Sequence, residues 1–139
     1  MKRDWDLLRE QLTNLEQGND VLAEVSSEPK WTDDLTQQGY ERAVREYRVL
    51  EERIAGHLEL LIDSGYVDGL TVSRGADNYI SFGIHAPRLT MAGHDLLDTM
   101  RSATVWQNIK STASKKGIAL TFDTIKAIAG VVIKQMLGG

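Results

Sequence analysis

Three histidines are the side chains of this chain best suited to hold a metal ion or move a proton, and one of them, His94, is followed at once by Asp95. Two imidazoles and a carboxylate, His57, His94 and Asp95, would suit a divalent cation if folding brought them together. The spacing does not demand it. No H-E-x-x-H run puts two ligands on one helix face, and a histidine that hydrogen-bonds a backbone carbonyl where helices pack is the commoner arrangement. His85, at the end of an extended segment, has less to recommend it. For nucleophilic catalysis there is no G-x-S-x-G, and "SRGAD" (73–77) lacks the helix N-terminus that a phosphate cradle needs. The absence of cysteine removes thiolate metal sites and disulfides, and suits a reducing cytosol. The reading is a non-enzymatic protein with no catalytic residue, metal or cofactor. The chemistry left to it is recognition.

Charge sets the terms of that recognition. The formal net charge of −4 conceals a gradient: residues 1–63 carry eight Lys/Arg against fifteen Asp/Glu, while residues 101–139 carry six against Asp123 alone, a net of −7 at one end and +5 at the other. Such asymmetry points to polar partners, or to two halves that solvate or neutralise each other. The start "MKRDWDLLREQ" has no apolar stretch to serve as a signal peptide, and no run approaches membrane-spanning length, so a cytoplasmic protein without membrane contact is expected.

The elements that position these groups follow from periodicity and caps. Trp5, Leu8, Leu12 and Leu15 predict a helix over about 4–17, stopped by Gly18. Residues 18–38 form a connector in which Trp31 is bulky enough to fold the loop back onto the body. From Tyr40 to Ser64 a stripe of Val44, Tyr47, Ile54, Leu58, Leu61 and Ile62 weakens near 49–52, which allows one long helix or two short ones, with Gly65 at the end. "GLTVSR" (69–74) and "NYISFGIH" (78–85) read as a β-hairpin closed by "GAD", with Pro87 ending the second strand. Thr90, Ser102 and Thr121 are placed to cap three further helices. In the last of these Phe122, Ile125, Ala129, Val132 and Met136 make a stripe that Ile128, Val131 and Ile133 widen, leaving mainly Asp123, Ala127, Gly130 and Lys134 on the other side. The tail Gly138-Gly139 reads as a helix stop.

Helices followed by a two-stranded wing are ordered as in an α+β winged helix-turn-helix domain with additional C-terminal helices, where the helix before the wing is the one usually offered to DNA. A single domain over 1–139 is expected, with a core at 1–101, a wing at about 69–85 and a helical extension at 102–139. "MKRDWDLLREQL", "HLELLIDSGYVDG", "LTMAGHDLLDTMRSATVWQNIK" and "LTFDTIKAIA" resemble, in that order and over nearly the whole chain, the bacterial and phage family catalogued as domain of unknown function 2513. Gly93-His94-Asp95 and Val105-Trp106 are the most specific of these segments. The resemblance implies a winged-helix-like fold and frequent residence on mobile elements.

The side chains argue against DNA reading through the expected helix. Residues Glu52, Arg53, Gly56, Glu59 and Asp63 fall on its outer side, and three of the five are acidic, which phosphates repel. The wing offers Arg74 as its one cation. Trp106 suits either a stacking platform or, sharing a stripe with Val105 and Ile109, the core. Two uses remain. One is a protein-interaction or regulatory module that self-associates as a homodimer through the last helix, with Ile128 and Val131 in that contact and Glu52, Glu59 and Asp63 facing a basic partner. The other is a nucleic-acid binder that uses the basic C-terminal portion, Lys110, Lys115 and Lys116 with Lys126 and Lys134 as further candidates, and Arg74 on the wing, in place of the usual helix.

Overall fold

A computed structural model describes residues 1–138; Gly139, the second glycine of the tail, lies outside the described residues. Helix α1 (Trp5–Gln17) begins where the Asp4 side chain accepts from the backbone N–H groups of Asp6 and Leu7, and ends where Gly18 turns left-handed at φ 75°. A connector with one 3-10 turn (Ala23–Val25) leads to α2 (Gln37–Asp63). Trp31 in this connector stacks edge-on against Tyr40 with centroids 5.7 Å apart, yet it stays 52% exposed. Helix α2 is one unbroken helix of 27 residues. The weak stretch at 49–52 therefore conceals no turn. Glu51 takes an inward position there and is buried, 3.1 Å from both the Tyr47 hydroxyl and an Arg48 guanidinium nitrogen.

Strands β1 (Val67–Arg74) and β2 (Ile80–Leu89) pair antiparallel as the only sheet among the described residues. The turn closes with Asn78 at φ 66°, its N–H bonded to the Gly75 carbonyl. Pro87 does not end the second strand. Pairing resumes beyond it at Asp68 with Arg88 and Val67 with Leu89. In a two-stranded ribbon each strand is an edge, so a residue without an N–H is tolerated beside a bulge. The bulge sits at Gly69, φ 78°, where a Cβ would come within 2.5 Å of the Ala86 carbonyl oxygen.

Thr90, Ser102 and Thr121 cap α3 (Met91–Met100), α4 (Ala103–Lys116) and α5 (Phe122–Met136) by accepting from Gly93, Val105 and Thr124 respectively. The hand-over from wing to α3 is tight. Thr90 donates its N–H to the Tyr66 carbonyl and its hydroxyl to Gly65, and a Cβ on Gly93 would stand 2.0 Å from the same Tyr66 oxygen. Only a glycine lets the first turn of α3 sit on the root of the wing. Gly138, at φ 80°, follows α5 as a helix stop.

One apolar cluster draws on every part of the chain, with Leu8, Leu12, Leu58, Leu96, Trp106 and Ile125 among its buried members. The result is an α+β fold of helices around a two-stranded hairpin with extra C-terminal helices, consistent with a winged-helix-like architecture.

Candidate functional site

Where α2 faces the wing, the charges of the two elements pair with one another. Val72 and Arg74 lie on the strand face turned toward α2, and the Arg74 guanidinium reaches Glu52 at 2.6 Å and Glu59 at 2.5 Å. Glu52 and Glu59 stand seven residues apart, two turns of helix, so one fork spans both. Hydrogen bonding from Arg74 holds the Glu52 carboxyl below the usual carboxylate range, and the two carboxylates raise the Arg74 guanidinium pKa further. The structure thus joins three residues that the sequence assigns to different partners: Arg74 is not a free cation, and Glu52 and Glu59 are not free anions. Asp63 is separate, exposed at the end of α2. On β1 and β2, Asp68 and Arg88 pair at 2.7 Å.

The N-terminal segment seals the other side of α2. Gly56 does not face solvent, because the Met1 side chain lies over it; a Cβ there would approach the Met1 sulfur to 2.5 Å. His57 beneath is fully buried. Its Nε2 accepts the Asp4 N–H at 2.8 Å, so Nδ1 carries the hydrogen and donates to the Arg53 carbonyl at 2.7 Å. This is a histidine that ties two helices together through both ring nitrogens. Arg53 itself reaches Asp4 at 2.6 Å. His94 is exposed on α3, beside Glu16 at 3.4 Å. His57, His94 and Asp95 do not meet, and no group of three or more His, Asp or Glu among the described residues could hold a metal ion.

Trp106 is core. Only 1% of it is exposed, and its indole N–H donates to Asp6 at 2.8 Å. Lys110 reaches the same carboxylate oxygen at 2.9 Å and lies over the indole ring, so it too is committed within the fold. The hydrogen bonds from Lys110 and Trp106 hold the Asp6 carboxyl below its ordinary range. Lys115 and Lys116 are exposed at the end of α4 and have no ion-pair partner among the described residues. Lys115 borders a polar groove between α4 and α5 with Asn108, Ser111, Thr112 and Gln135.

Helix α5 packs Ile125, Ile128, Ala129 and Val132 inward. Ile128 is therefore core, 8% exposed, and unavailable to a partner: it stands three residues from Ile125 and four from Val132, on the stripe turned toward α3 and α4. Val131 remains outside, 49% exposed. Ile133, Met136 and Leu137 are exposed around the end of the same helix. Among the described residues one buried side-chain acceptor lacks a protein partner, the Gln11 side-chain carbonyl, whose amide nitrogen donates to the Ile54 carbonyl at 3.2 Å. The residues that sequence reasoning missed, Glu51 and Gln11, are polar side chains on apolar stripes; the weakening at 49–52 was the visible trace of the first.

A family model described as "Hypothetical protein (DUF2513)" matches residues 2–119. The chain belongs to this DUF2513 family. The matched span takes in α1 through α4 and stops short of α5. Over 99% of both chains, the protein is also 34% identical to a Haemophilus influenzae protein described as "Uncharacterized protein", so that likeness extends through α5. No solved structure matches this DUF2513 protein. No helix among its described residues is long and apolar enough to cross a membrane.

Proposed function

We propose that this protein is a non-enzymatic interaction or regulatory module of a bacterial or mobile-element system, cytoplasmic, which assembles with protein partners and with a second copy of itself through α5. The observation that carries the reading is the pairing of Arg74 with Glu52 and Glu59. A wing and helix that read DNA must offer free cations to phosphates and free donors to base edges. Here the wing's cations and Arg53 are spent on carboxylates of the same chain, and Asp63 adds an unpaired negative charge. Apolar groups are left in water at several places, among them Val49 on α2, Ile84 on the wing, and Val131, Ile133 and Met136 on α5, where they stand beside Lys134, unpaired among the described residues. Exposed apolar side chains of this kind are best covered by another protein surface.

The second reading, nucleic-acid binding through the basic C-terminal region, rests on Lys115 and Lys116, which are exposed and, like Lys126 and Lys134, without an ion-pair partner among the described residues. A titration against duplex DNA at about 50 and 200 mM salt separates the two readings. The interaction reading expects no binding tighter than non-specific association, unchanged by Arg74→Ala. Salt-steep binding lost in Lys115→Glu/Lys116→Glu would establish the second reading in its place.

A further inference from the structure

The outward face of α5 carries its own complement. Asp123, Ala127, Gly130 and Lys134 follow one another at intervals of four, three and four, so they form one line along the helix, opposite the buried Ile125, Ala129 and Val132. All four are exposed, and the space above Gly130 is open: a Cβ there would meet nothing within 4 Å. Neither Asp123 nor Lys134 has an ion-pair partner among the described residues, although most of the arginines elsewhere are paired. The order along the line is negative, small, small, positive. Turned end for end, it reads as its own counterpart.

We infer that a second copy of this chain docks on this face with the two α5 helices antiparallel, about a two-fold axis that passes midway between Ala127 and Gly130. One axis satisfies both pairs at once. The midpoint of residues 123 and 134 is also the midpoint of 127 and 130, so the register that sets Ala127 beside the partner's Gly130 also sets Asp123 beside the partner's Lys134, at both ends of the seam. The small residues at the centre let the backbones approach, and Val131, next to Gly130, comes under cover. A parallel arrangement would oppose like charges at each end. The antiparallel one also sets the two helix dipoles head to tail. The inference rests on the proposed self-association and adds its partner face, direction and register. A single helix pair is smaller than a standard interface, so association in the micromolar range is expected.

The test is a charge swap read by sedimentation equilibrium at 10–100 micromolar, an order-of-magnitude range matched to a small interface. Asp123→Lys and Lys134→Asp each place like charges together at both ends of the seam and weaken association by about tenfold. Combining the two substitutions restores it to within about threefold of the wild type, with helix content by circular dichroism as the check on folding. Because the swap also opposes α5's own dipole, Gly130→Leu is the independent variant. It favours helix and leaves charge unchanged, but fills the open space at the centre, and dissociation is expected. A dimer indifferent to all of these variants overturns the seam while leaving self-association standing. A wild-type monomer throughout overturns both.

Discussion

The face made by α2 and the wing and the face made by α5 both carry charge, and they differ in where that charge is spent. On the first, Arg74 is gripped by two carboxylates of α2, Arg53 by Asp4 and Arg88 by Asp68. On the second, Asp123 and Lys134 are unpaired among the described residues and Val131 stands half in water. A winged-helix-like order invites the first face to be taken as the working one. The pairing occupies Arg53, Arg74 and Arg88 there, whereas the later helix carries unpaired Asp123 and Lys134 beside exposed Val131. Fold order alone is a poor guide to a working surface; satisfied and unsatisfied groups are a better one.

The largest effect in this contrast is expected at the joint behind both faces. Gly93→Ala drives a methyl group into the Tyr66 carbonyl and should cost about 3 kcal/mol in urea unfolding, loosening the wing from α3. A loss under about 0.5 kcal/mol would show that the wing is not anchored there. Arg74→Ala should cost about 1 kcal/mol, since it leaves Glu52 and Glu59 without their shared counter-ion at a half-exposed site. Its diagnostic result is in binding: duplex affinity stays unchanged, and a large loss would reopen the wing as a DNA contact.

Asp6→Asn should cost no more than about 1 kcal/mol at pH 7, because the carboxylate is largely exposed and its attraction to Lys110 is screened. The pH dependence has a definite sign. Lys110 and Trp106 lower the folded-state pKa of Asp6, so its contribution is fully present above the unfolded value, near 3.9, and fades as pH falls through the lower folded value. Wild type and Asp6→Asn should therefore converge in stability on acidification. A gap that persists in strong acid would mean that the carboxylate acts through shape and not charge. Arg53→Ala sits at the small end: no measurable change in any DNA affinity, and about 0.5 kcal/mol of stability for its exposed contact with Asp4.

Local signals in the sequence were the legible ones. Gly18 ends the first helix, and Thr90, Ser102 and Thr121 start the last three, because a cap is a contact between residues three or so apart that needs no knowledge of the fold. The hairpin was legible for the same reason, apart from the length that Pro87 seemed to forbid; the bulge that admits it depends on Gly69 lying against Ala86. Single positions on a helix surface were less legible. Ile128 and Val131 look alike on a broad apolar stripe, and only the docking of α5 on α3 and α4 decides that one is buried. Gly56 is covered by a residue 55 positions away, and Arg74 meets Glu52 and Glu59 across 22 and 15. Pairings over such separations follow from tertiary approach, which composition and periodicity do not encode.

The central claim is that the unspent surface of this DUF2513 protein is the outer side of α5 and that it is used for assembly. Sedimentation equilibrium of the full chain at micromolar concentration, beside Val131→Asp, tests it most directly. The account predicts a reversible dimer for the wild type and a monomer of unchanged helix content for Val131→Asp. A purely monomeric wild type, or a dimer of equal strength in both proteins, would contradict it.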